Sequence, residues 1–400
     1  PDEPIIVLGA GDLVAATPHL VGFTPESSLV VISVKDRRDR SRLGLVARFD
    51  LPPADKRRRR VRDASATWVA ATAGEAARVI MRDQPERVVA LVFDDHSGGP
   101  LPWRRLVERL EEELRAADVP VLDLLLVNGG RFWSYRCDDD DCCPPDGRVV
   151  NEASAVAAEF EARGSMPLAN RAALRDLVTR AEAARCSAVE VVARRELAAI
   201  SSCWAEDEHP GWRAWQRESV TLLRQVAARY ASGGGRVTVD EAGRLLAALC
   251  DLTVRDVAVA LLTCWGRQAS DAEHRCRPVG EQSEDAKDLS RLDALIAELD
   301  EDVTLDRLPR RSREAVLEQL WLDLATSGDG RLAVAPLTAL GLHVWSQGNG
   351  ALAAAVVERA LALDPVYRLA VLLEQALVVG MRPPMPDDEP SEADVSLSEN

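Results

Sequence analysis

The sequence predicts an α/β N-terminal domain whose mixed sheet ends in a β-hairpin, followed by an all-α C-terminal region. Three observations carry this. Apolar, β-branched runs recur in the first 150 residues, at 29–34 (LVVISV), 87–94 (RVVALVFD) and 119–127 (VPVLDLLLV). An Asn128-Gly129-Gly130 turn separates the last run from Arg131-Phe132-Trp133-Ser134-Tyr135-Arg136. From Asn151 onward the spacing of apolar residues is helical almost without interruption.

Each element follows in turn. A short segment over 11–19 precedes the strand at Leu29 to Val34, and a polar turn at 37–40 leads into a second strand at 43–49. Pro52-Pro53 ends that strand, and a helical stretch rich in Ala, Arg and Val reaches about Met81. The run at 87–94 is continuously apolar, as expected of a strand covered on both faces. Leu106, Leu110 and Leu114 share one side of the next helix, with Glu108 and Glu111 to Glu113 on the other. The strand at 119–127 then enters the hairpin, because an Asn-Gly pair supplies the positive φ angles of a tight primed turn. The expected sheet has parallel crossovers early and this antiparallel hairpin at its end.

The expected division is an α/β domain over 1–150, a helical domain over 151–267, a linker or long loop over 268–290, and a second helical region over 291–384. Helices are expected near 151–163, 170–200, 212–231, 239–250 and 253–265. Thr238 with Glu241 three residues on forms a capping box. Residues 385–400 are rich in acid and carry no cation, so the expectation is a disordered tail. Near the end, Leu337, Leu340, Gly341, Val344, Gly348, Ala353, Val357, Ala360 and Pro365 follow the spacing of a tetratricopeptide helix–turn–helix unit. The unit departs from that pattern at Leu337 and Val344, where aromatic residues are usual.

Composition narrows the function. The 400 residues hold 65 acidic and 49 basic side chains, a net charge of −16, which argues against a dedicated nucleic-acid binder. Every basic residue except Lys35, Lys56 and Lys287 is arginine, the mark of a GC-rich genome. No apolar run approaches the roughly 18 residues of a membrane span, and eight cysteines are too few for a disulfide-built scaffold. The start, Pro1-Asp2-Glu3-Pro4, lacks the basic opening of a secretory signal. A cytoplasmic protein is expected, with no membrane association and a protein partner.

Two segments have the residue types of chemistry. Asp94, Asp95 and His96 sit at the carboxyl end of an apolar strand, where α/β proteins gather ligands. Two carboxylates and an imidazole suffice for general-base or metal chemistry, although such loops also serve simply to cap helices. Residues 137–147 (CDDDDCCPPDG) place Cys137, Cys142 and Cys143 among five aspartates. Thiolates suit Zn²⁺, while the adjacent pair 142–143 and the lack of a C-x-x-C spacing depart from a standard zinc site. Aspartate repulsion should raise the thiol pKa values. Apart from Zn²⁺ at these thiols, no cofactor is predicted. If both segments serve one site, Asn128, Arg131, Trp133 and Tyr135 complete a candidate ligand-binding set.

The remaining features have plainer readings. Gly9-Ala10-Gly11-Asp12 is only a fragment of a dinucleotide loop, and the basic run at 56–62 reads as a solvated helix start. Trp204, Trp212 and Trp215 read as inter-helix packing, and His19, His274 and His343 receive no role.

The chain resembles an actinobacterial family known only as a domain of unknown function. The resemblance rests on Pro18-His19-Leu20-Val21-Gly22-Phe23-Thr24-Pro25, on Gly130-Arg131-Phe132-Trp133-Ser134-Tyr135-Arg136-Cys137 with Cys142-Cys143-Pro144-Pro145, and on the repeat-like end around 360–367. It implies a bacterial cytoplasm and transfers no activity, cofactor or catalytic residue. The leading expectation is a non-catalytic binding or adaptor protein acting through its helical repeat-like region. The alternative is a metal-assisted hydrolase in which a carboxylate at 94–95 is the base, His96 a ligand or acid, and Arg131 an anion clamp. Whether any reaction is catalysed stays open at this level.

Overall fold

The structure is a computed structural model, and it describes residues 5–7, 9–37, 40–52, 65–94, 101–151, 154–179, 182–201, 210–263, 308–381, 383 and 395–397. The basic run at 56–62, Asp95, His96, Trp204, His274 and the linker expected at 268–290 lie outside the described residues. The chain divides into two compact units. The first comprises Pro1–Ala173, Val378–Met381 and Asp388–Asn400, and the second Leu174–Leu377 with Arg382–Asp387. The α/β unit thus runs past residue 150.

The first unit is a mixed sheet with helices on both faces. Its strands are β1 (Ile5–Val7), β2 (Ser28–Arg37), β3 (Arg40–Asp50), β4 (Arg87–Phe93), β5 (Val121–Asn128), β6 (Arg131–Ser134), β7 (Arg148–Val149) and β8 (Val395–Leu397), in the spatial order β1-β8-β3-β2-β4-β5-β6-β7. Its helices are α1 (Ala10–Val21), α2 (Ala66–Met81), α3 (Arg104–Ala116) and α4 (Ala155–Ala162).

The early part of the sheet is antiparallel, which corrects the expectation of parallel crossovers there. β2 pairs antiparallel with both β3 and β4. Two residues between Arg37 and Arg40 cannot carry a crossover, so β3 must fold back on β2. The chain then passes through α2 to reach β4 on the far side of β2, and through α3 to place β5 parallel to β4.

Alternation along the strands sorts the core into two layers. Leu29, Val31, Val88, Ala90, Val92, Leu124 and Leu126 pack against Ala73, Ala76, Ala77 and Ile80 of α2 and against Leu106, Leu110 and Leu114 of α3. The opposite face carries Val30, Ile32, Leu91 and Phe132, all buried, and receives α1 close to the Phe132 ring at Gly11. The His19 ring stacks on Phe160 of α4 with centroids 4.9 Å apart, and its Nδ1 lies 3.1 Å from Ser165 Oγ. Beyond α4 the chain bonds Leu168 to Gly22 and Thr24, so this stretch belongs with the sheet.

The acidic tail departs from the expected disorder at one place. Val395–Leu397 runs parallel to β1 and antiparallel to β3. Composition alone favoured disorder, but β1 and β3 each present an edge of unpaired backbone groups that an extended segment satisfies.

The second unit is helical. Its elements are α5 (Arg171–Leu177, which begins in the first unit), α6 (Ala183–Ile200), α7 (Pro210–Ala231), α8 (Val239–Ala248), α9 (Leu252–Leu262), α10 (Arg310–Ser327), a 3-10 turn at Gly330–Ala333, α11 (Val334–Ser346), α12 (Gly350–Leu363) and α13 (Arg368–Val378). The helix expected over 170–200 is interrupted, giving α5 and α6. The Thr238–Glu241 capping box forms, and the Arg229 guanidinium donates to both Glu241 oxygens at 2.6 and 2.7 Å. Gly243 lets α8 approach the α6 backbone, since a Cβ there would lie 2.8 Å from the Val189 carbonyl oxygen. Trp212 and Trp215 pack with their rings tilted by 44° beside Ile200 and Val220, which is packing as the sequence suggests. All 13 residues of α11 are buried, including His343, whose Nε2 lies 3.0 Å from the Glu314 carbonyl oxygen. Gly341 of α11 faces Val357 of α12 and Leu373 of α13, where a side chain would crowd all three helices.

Candidate functional site

The hairpin that organises the candidate residues forms as the sequence implies, with one shift in its details. Asn128 pairs with Arg131, so Asn128 is the last strand residue and the turn itself is Gly129-Gly130, at φ +55° and +73°. Both central residues sit in the left-handed region, as a primed turn requires. Trp133 and Tyr135 then project to the α2–α3 face, and Phe132 to the α1 face.

Asp94 follows β4 directly and is 2% exposed. Its backbone N–H donates to Val127 O at 3.1 Å, and its carboxylate accepts the Trp103 indole N–H at 2.9 Å. Trp103 sits at the N-cap of α3 with φ +65°, and Leu101 has φ +41°. Left-handed backbone at two non-glycine residues costs free energy that the surrounding contacts must offset. Here it seats the indole over a buried carboxylate and 5.9 Å from the Trp68 ring.

Tyr135, immediately after β6, closes the same region. Its hydroxyl donates to the Pro102 carbonyl, and the Arg104 guanidinium lies 5.9 Å from its ring centroid. Burial pushes the phenol pKa well upward, the nearby Asp94 charge adds to the shift, and Arg104 opposes it. Trp103, Pro102 and Arg104 escaped the sequence reading because no local pattern marks an aromatic N-cap in left-handed backbone.

Residues 137–147 continue from the same carboxyl end of β6, after Tyr135 and Arg136. Cys143 N donates to Asp139 O at 2.6 Å, Asp141 N to Asp139 Oδ1 at 2.9 Å, and Gly147 N to Pro144 O at 2.8 Å. Trp133 Nε1 donates to Pro145 O at 3.0 Å, and Arg131 donates to the carbonyls of Asp146 and Gly147 at 3.2 and 2.9 Å. Arg131 therefore fastens the loop through one of its guanidinium nitrogens. Arg136 reaches the carbonyl of Val121 and lies 3.4 Å from Glu111 of α3.

The loop brings its three thiols together. The sulfurs of Cys137, Cys142 and Cys143 all lie within 4.8 Å of one another, and none is in a disulfide. Cys137 and Cys143 are half-buried, while Cys142 is exposed. The Cys143 pKa is pushed up to about 11, first by burial and then by the Cys137 thiol, against a lowering contact with the Ser134 backbone. The aspartates are not the cause, which corrects the expectation of carboxylate repulsion: Asp138 to Asp141 are exposed, where water screens them.

The thiols and Asp94 do not share one coordination sphere. Asp94 is level with the end of β5, whereas Cys143 touches Ser134, which pairs with Leu125. Strand geometry then separates them by about 10 Å along the strands and about 10 Å across them. Tyr135, between them, is the candidate residue that approaches Asp94.

A family described as Domain of unknown function (DUF4192) matches residues 11–279 and 267–384. The chain belongs to DUF4192. The match takes in the hairpin, the thiol loop and the helices of the second unit, so these features lie within the DUF4192 region. No curated protein and no solved structure matches this DUF4192 chain. Among its described residues no helix is long and apolar enough to cross a membrane.

Proposed function

We propose that this DUF4192 chain is a non-catalytic binding protein that docks a protein partner on the helices α10 to α13. The observation that carries the reading is α11, buried along its whole length. A helix enclosed in this way gives its neighbours a fixed core and frees their outer faces for contact, as helical repeats do. The resemblance of 337–365 to a tetratricopeptide unit supports the same reading, as does the exposure of Leu372 on α13, at 52%. To this reading also belong an actinobacterial origin, supported by the arginine bias, and a cytoplasmic location, supported by the free thiols of Cys137, Cys142 and Cys143.

The hydrolase reading has the thiol cluster in its favour. It is the weaker one because the Asp94 carboxylate is buried against Trp103 and Arg131 is engaged by loop carbonyls. Asp95 and His96, which it also needs, lie outside the described residues.

Affinity capture with the full chain and with a Leu372→Glu variant of unchanged circular dichroism tests the proposal. A protein retained by the parent and lost from the variant supports docking on α13. Equal capture by both, or capture by neither, counts against it.

A further inference from the structure

We propose that Cys137, Cys142 and Cys143 form a thiolate site for one Zn²⁺ ion that clips the 137–147 loop to the end of β6. The geometry is already close to a coordination sphere. Zn–S bonds of about 2.3 Å in a tetrahedron put the sulfurs about 3.8 Å apart, so a set within 4.8 Å needs to contract by no more than about 1 Å.

The loop's own hydrogen bonds explain how adjacent cysteines can face one point. The Cys143 N–H to Asp139 carbonyl bond closes a turn that folds 142–143 back toward Cys137. Trp133, Arg131 and the β7 pairing fix the returning arm, so both ends of the loop are held before any ion arrives. Preorganisation of this kind lowers the entropic cost of binding. The exposed Cys142 marks the solvent side, where water or a carboxylate from 138–141 completes a fourth position.

The chemistry of the ligands favours the same occupant. On binding, each thiol gives its proton to solvent and forms one Zn–S bond, with no change in oxidation state. A thiolate set selects Zn²⁺ over the hard cations Mg²⁺ and Ca²⁺, which take oxygen ligands.

The test uses the full chain purified without chelator and kept under reductant. Elemental analysis should find about one zinc per chain. After the zinc is removed, added Co²⁺ should give the intense near-ultraviolet sulfur-to-cobalt band of a thiolate site. Cys142→Ser, at an exposed position, should lose both signals with circular dichroism unchanged, and Cys250→Ser should keep both. Absence of zinc together with absence of the cobalt band in the fully reduced parent overturns the proposal. So does a Cys142→Ser variant that retains zinc and the full band.

Discussion

The indole of Trp133 occupies the space that a side chain at Gly147 would need. Two requirements meet at that glycine: φ is +75°, and the ring packs directly on its Cα. Gly130 in the hairpin turn has a similar φ of +73° but open space around it. Gly130→Ala should therefore cost only the backbone term, about 1 kcal/mol. Gly147→Ala should cost clearly more, because it also displaces Trp133 from its bond to Pro145. Urea denaturation of the two variants measures the difference, and equal losses would mean that the indole is free to move.

Glycine inside a helix normally weakens it, so alanine should help wherever there is room. Gly74 of α2 has nothing within 4 Å of a Cβ position, and Gly74→Ala should stabilise the protein by about 0.5–1 kcal/mol. Gly243 of α8 is the opposite case, facing the Val189 carbonyl of α6. There the same substitution should destabilise, by about 1–3 kcal/mol, since two helix backbones must separate. Thermal melting of both variants checks the predicted change of sign.

At Asp94 the issue is an indole donor buried with its acceptor. Asp94→Ala leaves the Trp103 N–H without that carboxylate and should cost about 1–3 kcal/mol. Asp94→Asn keeps an acceptor oxygen in place and should cost less. A reversed order in chemical denaturation would show that the hydrogen bond is not what holds the indole.

Acid sensitivity of the helical unit should centre on Glu241. Hydrogen bonds from Arg229 hold its carboxyl down at about 2 against the usual 4.5, and the Thr238 cap adds to the effect. A carboxyl with a depressed folded pKa stabilises the fold at pH values above the unfolded value. That contribution is lost as pH falls from about 4.5 to about 2. Glu241→Gln should therefore lower stability at neutral pH and flatten the decline over this window, as read from denaturation midpoints against pH.

Much of the architecture was legible because it is written in short-range pattern. The continuous run at 87–94 predicts a strand covered on both faces, and β4, over Arg87–Phe93, is that strand. Leu106, Leu110 and Leu114 predict the buried side of α3, and the Thr238–Glu241 spacing predicts a cap that forms. Strand order is a different matter. That β2 separates β3 from β4 depends on which edges meet, which alternation along a strand does not encode. The thiol loop shows the same division. Its residue types were visible, but the approach of the Cys142 and Cys143 sulfurs to Cys137 goes with a backbone bond from Cys143 to Asp139 that residue types do not encode. The Trp103 contact to Asp94 was invisible, since it relies on backbone conformations that few side chains tolerate.

β1 pairs with β8, so its partner is synthesised hundreds of residues after it. From Asp50, the end of β3, to Val395 there are 345 residues. At about 5–20 residues per second a ribosome needs roughly 20 to 70 s to cover that distance. During that interval the nascent sheet has a bare flank along β3, exposed to chaperones and to other growing chains. Completion of the layer therefore waits for residues 395–397 to emerge, and a chain lacking them would leave that flank open permanently.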